Sequence, residues 1–138
     1  MDYQQMTSPC GLDCFNCPVY LANKNEELRT LMAKHLNIPF EQAICNGCRN
    51  ENGTIACLGM TEPCHVYNCI IKKDIKFCYD CSDFPCDHLH PYVDKASQRP
   101  HNTKIFNLCL IKKMGLESWA QTKAKSVRDT YFNHKFKL

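Results

Sequence analysis

The chain has 138 residues, the size of one domain. Its 44% hydrophobic fraction includes 12 cysteines, so the aliphatic and aromatic core is smaller than that figure implies and calls for crosslinks. No apolar run reaches membrane-spanning length, and the opening Met-Asp-Tyr-Gln-Gln-Met lacks the basic start and apolar stretch of a secretory leader, so a soluble, cytoplasmic protein with reduced thiols is expected.

Charge divides the chain. Residues 1–98 carry 8 basic and 12 acidic side chains, net −4, while residues 99–138 carry 9 basic and 2 acidic, net +7. We read 1–98 as a cysteine-rich metal-binding region and 99–138 as a basic helical tail packed on it within one domain. The tail either offsets the charge of thiolate-bound metal or offers a surface to nucleic acid.

In chain order, Cys10-Gly11-Leu12-Asp13-Cys14-Phe15-Asn16-Cys17-Pro18 comes first, at C-x3-C-x2-C spacing. Three such thiolates can serve zinc or three corners of an iron–sulfur cluster. The spacing also resembles the radical S-adenosylmethionine signature, but the chain is too short for the barrel of alternating strands and helices which that enzyme class needs. From Pro18 to Leu36 the pattern predicts helix, with a break near residues 23–25 where Asn23 and Glu26 have capping-box spacing. Leu28, Leu31, Met32 and Leu36 form its expected core face, with His35 beside it as a packed or exposed side chain. Pro39 to Ile44 is a short turn leading to Cys45-Asn46-Gly47-Cys48, whose tight spacing reads as a metal knuckle.

Residues 49–62 read as a loop holding Cys57 alone. Pro63 is placed to start a helix through Ile71 that carries Cys64 and Cys69. Five residues apart, these two diverge by about 140° on a regular helix, so one is expected to cap its end or to ligate elsewhere. A second knuckle, Cys78-Tyr79-Asp80-Cys81, precedes Phe84-Pro85-Cys86, and His88 is the best-placed histidine for a metal, although a surface role is the simpler reading. Asn102 or Thr103 is expected to cap a helix with Ile105, Phe106, Leu108, Cys109 and Ile111 turned inward and with Gly115 at its end. A second helix follows, with Leu116, Trp119, Ala120, Lys123, Val127 and Tyr131 at three- and four-residue steps. Cys109 is expected to be a buried thiol. Lys112, Lys113, Lys123 and Lys125 are the candidate nucleic-acid contacts, without interleaved aromatics.

Taken together, these motifs resemble a family of small prokaryotic proteins of unknown function. Its members open with C-G-L-x-C-x-x-C-P and continue with C-x-G-C, C-x4-C on a helix, and C-x-x-C-x4-C with proline before the last cysteine. The resemblance covers residues 10 to about 90 and implies zinc binding through cysteine, with no reaction assigned. Members can carry a further cysteine where this chain has Thr61, and Cys57 is the candidate substitute from the loop.

The expected fold is a small, metal-stapled, mainly α domain with irregular knuckle loops, little β structure and a C-terminal helical pair. Candidate ligands are Cys10, Cys14, Cys17, Cys45, Cys48, Cys57, Cys64, Cys69, Cys78, Cys81 and Cys86, serving two or three zinc ions. One partition gives Cys45, Cys48, Cys78 and Cys81 a shared ion, Cys10, Cys14, Cys17 and Cys86 a second, and Cys57, Cys64 and Cys69 a partial third. No Ser-His-Asp set, paired carboxylates or phosphate loop is present, so the expected role is a non-catalytic zinc protein with an unidentified protein partner or, through the basic helices, a nucleic acid. An iron–sulfur or thiol redox protein on Cys10, Cys14 and Cys17 is the alternative.

Overall fold

The computed structural model describes residues 1–138. Six helices order the chain: α1 (Pro18–Leu21), α2 (Glu26–Leu36), α3 (His65–Lys73), α4 (Lys104–Met114), α5 (Leu116–Thr122) and α6 (Ala124–Asn133). The only β pairing is an isolated Thr7–Asp13 bridge, so the mainly helical class is the one adopted. No helix is long and apolar enough to cross a membrane.

Local chemistry explains the helix ends. The Asn25 side chain caps α2 by accepting the Leu28 N–H at 3.0 Å, with Glu26 and Glu27 in the first turn and Lys34 and His35 in the last. The expected cap, Asn23, is engaged elsewhere: its amide donates to the Cys45 carbonyl at 2.7 Å and accepts the Cys45 N–H at 3.3 Å. On α2 it is Met32, Ala33 and Leu36 that turn inward, while Leu31 is 59% exposed, one position off that stripe. Helix α3 begins two residues after Pro63, with Cys64 as its cap.

In the tail, α4 ends at Gly115 (φ 85°), as anticipated. The second helix is interrupted at Lys123 (φ −125°, ψ −38°), which separates α5 from α6. On a straight helix Trp119 and Ala124 would point about 140° apart; the break brings both into one cluster with Met6, Phe15, Ile111 and Ala120. Helix α4 buries Asn107, Leu108 and Ile111, whereas Phe106 and Cys109 face solvent. This corrects the expected burial of Cys109. Apolar residues surround α4, so periodicity does not choose its inner face; Asn107 does, donating to the Gly11 carbonyl at 2.9 Å and accepting from Trp119 Nε1 at 3.3 Å.

The apolar interior is divided. Besides the Trp119 cluster there are two of three buried residues each, Val19 with Cys45 and Cys57, and Phe77 with Leu89 and Leu108. A buried aliphatic or aromatic side chain contributes roughly 1.5–3 kcal/mol, so no single cluster here is a large anchor. The tail is tied to the body by charge as well. Arg128 on α6 grips the Asp13 carboxylate through Nε (3.2 and 3.1 Å) and a terminal nitrogen (2.6 Å), which also donates to the Asp13 carbonyl at 3.3 Å. The side chains are 12% and 2% exposed. Burial opposes the guanidinium charge, and Asp13 overrides it, leaving the Arg128 pKa raised.

Removing one partner of a buried pair leaves an uncompensated charge, so Arg128→Ala should cost about 3–5 kcal/mol of stability. Arg128→Lys should recover little of it, because an ammonium cannot reproduce the forked contact. Urea unfolding followed by Trp119 fluorescence measures both; a loss below about 1 kcal/mol for Arg128→Ala would place the pair among weak surface contacts.

Candidate metal centres

The loop from Thr7 to Asp13 delivers the first thiols. Gly11 turns it at φ +91°, and its bare Cα lies so close to α4 that an added Cβ would stand 2.9 Å from Leu108 Cγ and from the Lys104 carbonyl oxygen. Cys14 opens a short 3-10 turn and Cys17 closes it, directly before Pro18 at the first position of α1.

Three neighbourhoods of sulfur emerge. In the first, the Cys48 thiol lies in the field of Cys10, Cys14 and Cys64. Cys10 Sγ is 3.2 Å from Ser8 Oγ and accepts the Leu12 N–H. Cys14 accepts the Cys48 N–H, and Cys64 accepts the Tyr67 N–H at 3.3 Å. In the second, Cys45 and Cys57 are hydrogen-bonded to each other and both pack with Cys17 around Val19. Cys17 accepts N–H groups from Val19 and Tyr20, and Cys45 accepts that of Gly47. The Glu51 carboxylate is felt by Cys45 and Cys57 and accepts the Asn46 N–H at 2.6 Å.

The third neighbourhood is a cleft of about 220 Å³ between α3 and the loop 78–89, lined by Cys69, Cys78, Cys81 and Cys86 together with Lys73, Asp83 and His88. Helix α3 supplies one edge at four-residue steps: His65 stacks on His88 at 5.9 Å, Cys69 faces the cleft, and Lys73 Nζ reaches Cys81 Sγ and Asp83 Oδ2, each at 2.9 Å. Cys81 also accepts the Asp83 N–H at 3.4 Å.

Electrostatics sort these thiols. Burial pushes Cys10 and Cys17 up, carries Cys14 and Cys78 up to about 12, and raises Cys48 as well. Cys45 is raised first by its hydrogen bond to Cys57 and then by burial, while the same bond lowers Cys57. The Lys73 ammonium lowers Cys81. The rotamers present do not close any three His, Cys, Asp or Glu side chains on a common point. The donor chemistry nonetheless suits a thiophilic ion, since neutral thiols are poor hydrogen-bond acceptors and these sulfurs accept N–H groups from several directions.

Within the Cys45–Cys48 knuckle, Cys45 is hydrogen-bonded with Cys57, while Cys48 lies in the field of Cys10, Cys14 and Cys64. Cys86 lines the cleft with Cys69, Cys78 and Cys81, and Cys10 packs on the same buried cluster as Cys78 and Cys86. The divergence of Cys64 from Cys69 was legible from their spacing. Spacing missed Lys73, Ser8, Asn23 and Glu51; only Lys73, one helical turn after Cys69, carried a signal.

The fold and these neighbourhoods define a small, helical, cysteine-rich protein. Over residues 6–91 the chain matches the model of a family described as a protein of unknown function, DUF3795, and it belongs to that family. The matched stretch spans all eleven grouped cysteines and ends before α4. No curated protein and no solved structure matches the chain.

Thiol exposure gives a direct check. Brief iodoacetamide treatment of the native chain should alkylate Cys109 first and Cys45 and Cys57 last, read by peptide mass spectrometry. Early labelling of Cys45 would contradict the burial described.

Proposed function

We propose that this chain is a zinc-binding protein in which the ions act mainly as structural staples, leaving its surface for interaction with a partner. The observation that carries this reading is the gathering of eleven cysteines into three neighbourhoods with N–H groups turned toward their sulfurs. The divided interior supports it, because thiolate-bound zinc would join segments that the small apolar clusters leave separate. The raised thiols support it too: burying a thiolate is costly without a cation, and a divalent ion displaces the protons those sulfurs otherwise keep. Zinc is favoured because thiolate sets with closed four-fold geometry suit it.

An iron–sulfur cluster on Cys10, Cys14 and Cys17 would need those three sulfurs to face one centre. Cys14 lies in the field of both Cys10 and Cys17, but Cys17 also packs with Cys45 and Cys57, and Cys10 with Ser8 and Cys64. Nothing therefore favours that alternative over zinc.

Anaerobically purified protein should carry two or three zinc ions per chain with no visible chromophore. Structural zinc contributes on the order of 10 kcal/mol per ion in small peptides, so chelation should abolish or sharply lower the thermal transition and reduce helicity measured by circular dichroism. Unchanged helicity and an unchanged transition after metal removal would overturn the structural role. Iron with inorganic sulfide in the elemental analysis would overturn zinc.

A further inference from the structure

Asparagine followed by glycine is the pair in which a main-chain nitrogen most readily attacks a side-chain amide, because glycine has no Cβ to hold the two groups apart. The chain has two such pairs, Asn46-Gly47 inside the first knuckle and Asn52-Gly53 in the loop after it. Both asparagines are exposed, and both glycines are buried with positive φ (95° and 77°). Exposure and glycine conformation therefore do not separate them.

Hydrogen bonding does. At the second pair the reacting groups are held: the Gly53 N–H donates to the Cys48 carbonyl at 2.8 Å, and Asn52 Oδ1 accepts the Tyr67 hydroxyl at 3.4 Å. The Tyr67 ring also covers Gly53 so closely that an added Cβ would stand 2.4 Å from Tyr67 Cγ. At the first pair the two bonds that Asn46 makes are through its backbone, its N–H to Glu51 Oε1 at 2.6 Å and its carbonyl from Asn50 Nδ2 at 2.7 Å. Its side-chain amide is free, and the Gly47 N–H meets the Cys45 sulfur, a weak acceptor.

We infer that Asn46 is a site of spontaneous deamidation whose isoaspartyl product opens the first knuckle. The Gly47 nitrogen gives its proton to water and bonds to Asn46 Cγ; the Cγ–Nδ2 bond breaks and ammonia leaves, closing a five-membered succinimide. Water opens that ring at Cγ to give aspartate, or at the main-chain carbonyl to give isoaspartate, so the net change is one water consumed and one ammonia released. Isoaspartate routes the chain through Cβ, which adds a backbone atom between Cys45 and Cys48. Either product sets a carboxylate beside Glu51, where like charges repel. Cys45 is buried against Cys57, and the lengthened knuckle exposes it. This inference stands independently of the metal-binding reading.

The test is to age the full chain at neutral pH, natively and in urea, then label it briefly with iodoacetamide and read its peptides by mass spectrometry with electron-transfer fragmentation, which tells isoaspartate from aspartate. In the native chain Asn46 should convert roughly tenfold faster than Asn52, whose bonds must open first, and in urea the two rates should converge. Cys45 and Asn46 lie on one tryptic peptide, 35–49, so thiol labelling is read on the same molecules. Peptides with isoaspartate should carry alkylated Cys45 early, while Asn46→Gln, whose longer side chain closes the ring poorly, should keep Cys45 among the last thiols labelled throughout ageing. Equal native rates, faster conversion of Asn52, or a rate ratio that persists in urea overturns the site. Unchanged Cys45 labelling in isoaspartyl peptides overturns the opening of the knuckle. The comparison of Asn46 with Asn52 is internal to the wild-type chain and depends on no variant.

Discussion

The buried ion pair between Asp13 and Arg128 is the contact on which the arrangement turns, because it fixes the end of a loop that four separate segments of the chain bond to. Along residues 7–13, alternate carbonyls each receive a donor from a different region. Thr7 accepts Arg49 Nε at 2.8 Å, Pro9 the Cys78 N–H at 3.0 Å, Gly11 the Asn107 amide, and Asp13 the Arg128 guanidinium. Buried carbonyls without donors are costly, so the loop can hold this shape only when the first knuckle, the second knuckle, α4 and α6 have all docked. The same loop presents Cys10 and leads directly to Cys14 and Cys17. Thiol placement and tail docking are thereby parts of one cooperative assembly, with the tail acting from outside the segment that defines the family.

Much of the helical outline was legible because its signals are local: Pro18 at the start of α1, Gly115 between α4 and α5, and the polar, glycine-punctuated loop at 49–62. Which cysteines cluster together was not. C-x-x-C spacing places two sulfurs near one turn but says nothing about what approaches from outside, and here Asn23 holds the Cys45 backbone from one side while Cys14 accepts the Cys48 N–H from the other. Those contacts join residues more than twenty positions apart, beyond any periodic signal. Cys109 failed for the opposite reason. Its helix is apolar on nearly every side, so only the long-range bonds of Asn107 to Gly11 and Trp119 decide which face turns inward, and they turn Cys109 out.

The same geometry bears on the basic tail. Of its cations, Arg128 is consumed by Asp13 and also acts on the field at Cys17, Lys104 lies in the field of Cys10, and Lys125 pairs with Asp129 on the same helix. Lys112, Lys113, Lys123, Lys135 and Lys137 are exposed. Of the tail's aromatic rings, Trp119 is buried and the Tyr131 hydroxyl is committed to the Ala96 carbonyl at 2.8 Å, while Phe106, Phe132 and Phe136 are exposed. Positive charge placed beside sulfur does a different job. Every four-thiolate zinc leaves a formal charge of about −2 in a region of low dielectric, and a fixed guanidinium or ammonium nearby lowers the cost of holding it there. If the cysteines hold metal as proposed, Arg128 and Lys104 are the tail cations placed to offset its thiolate charge.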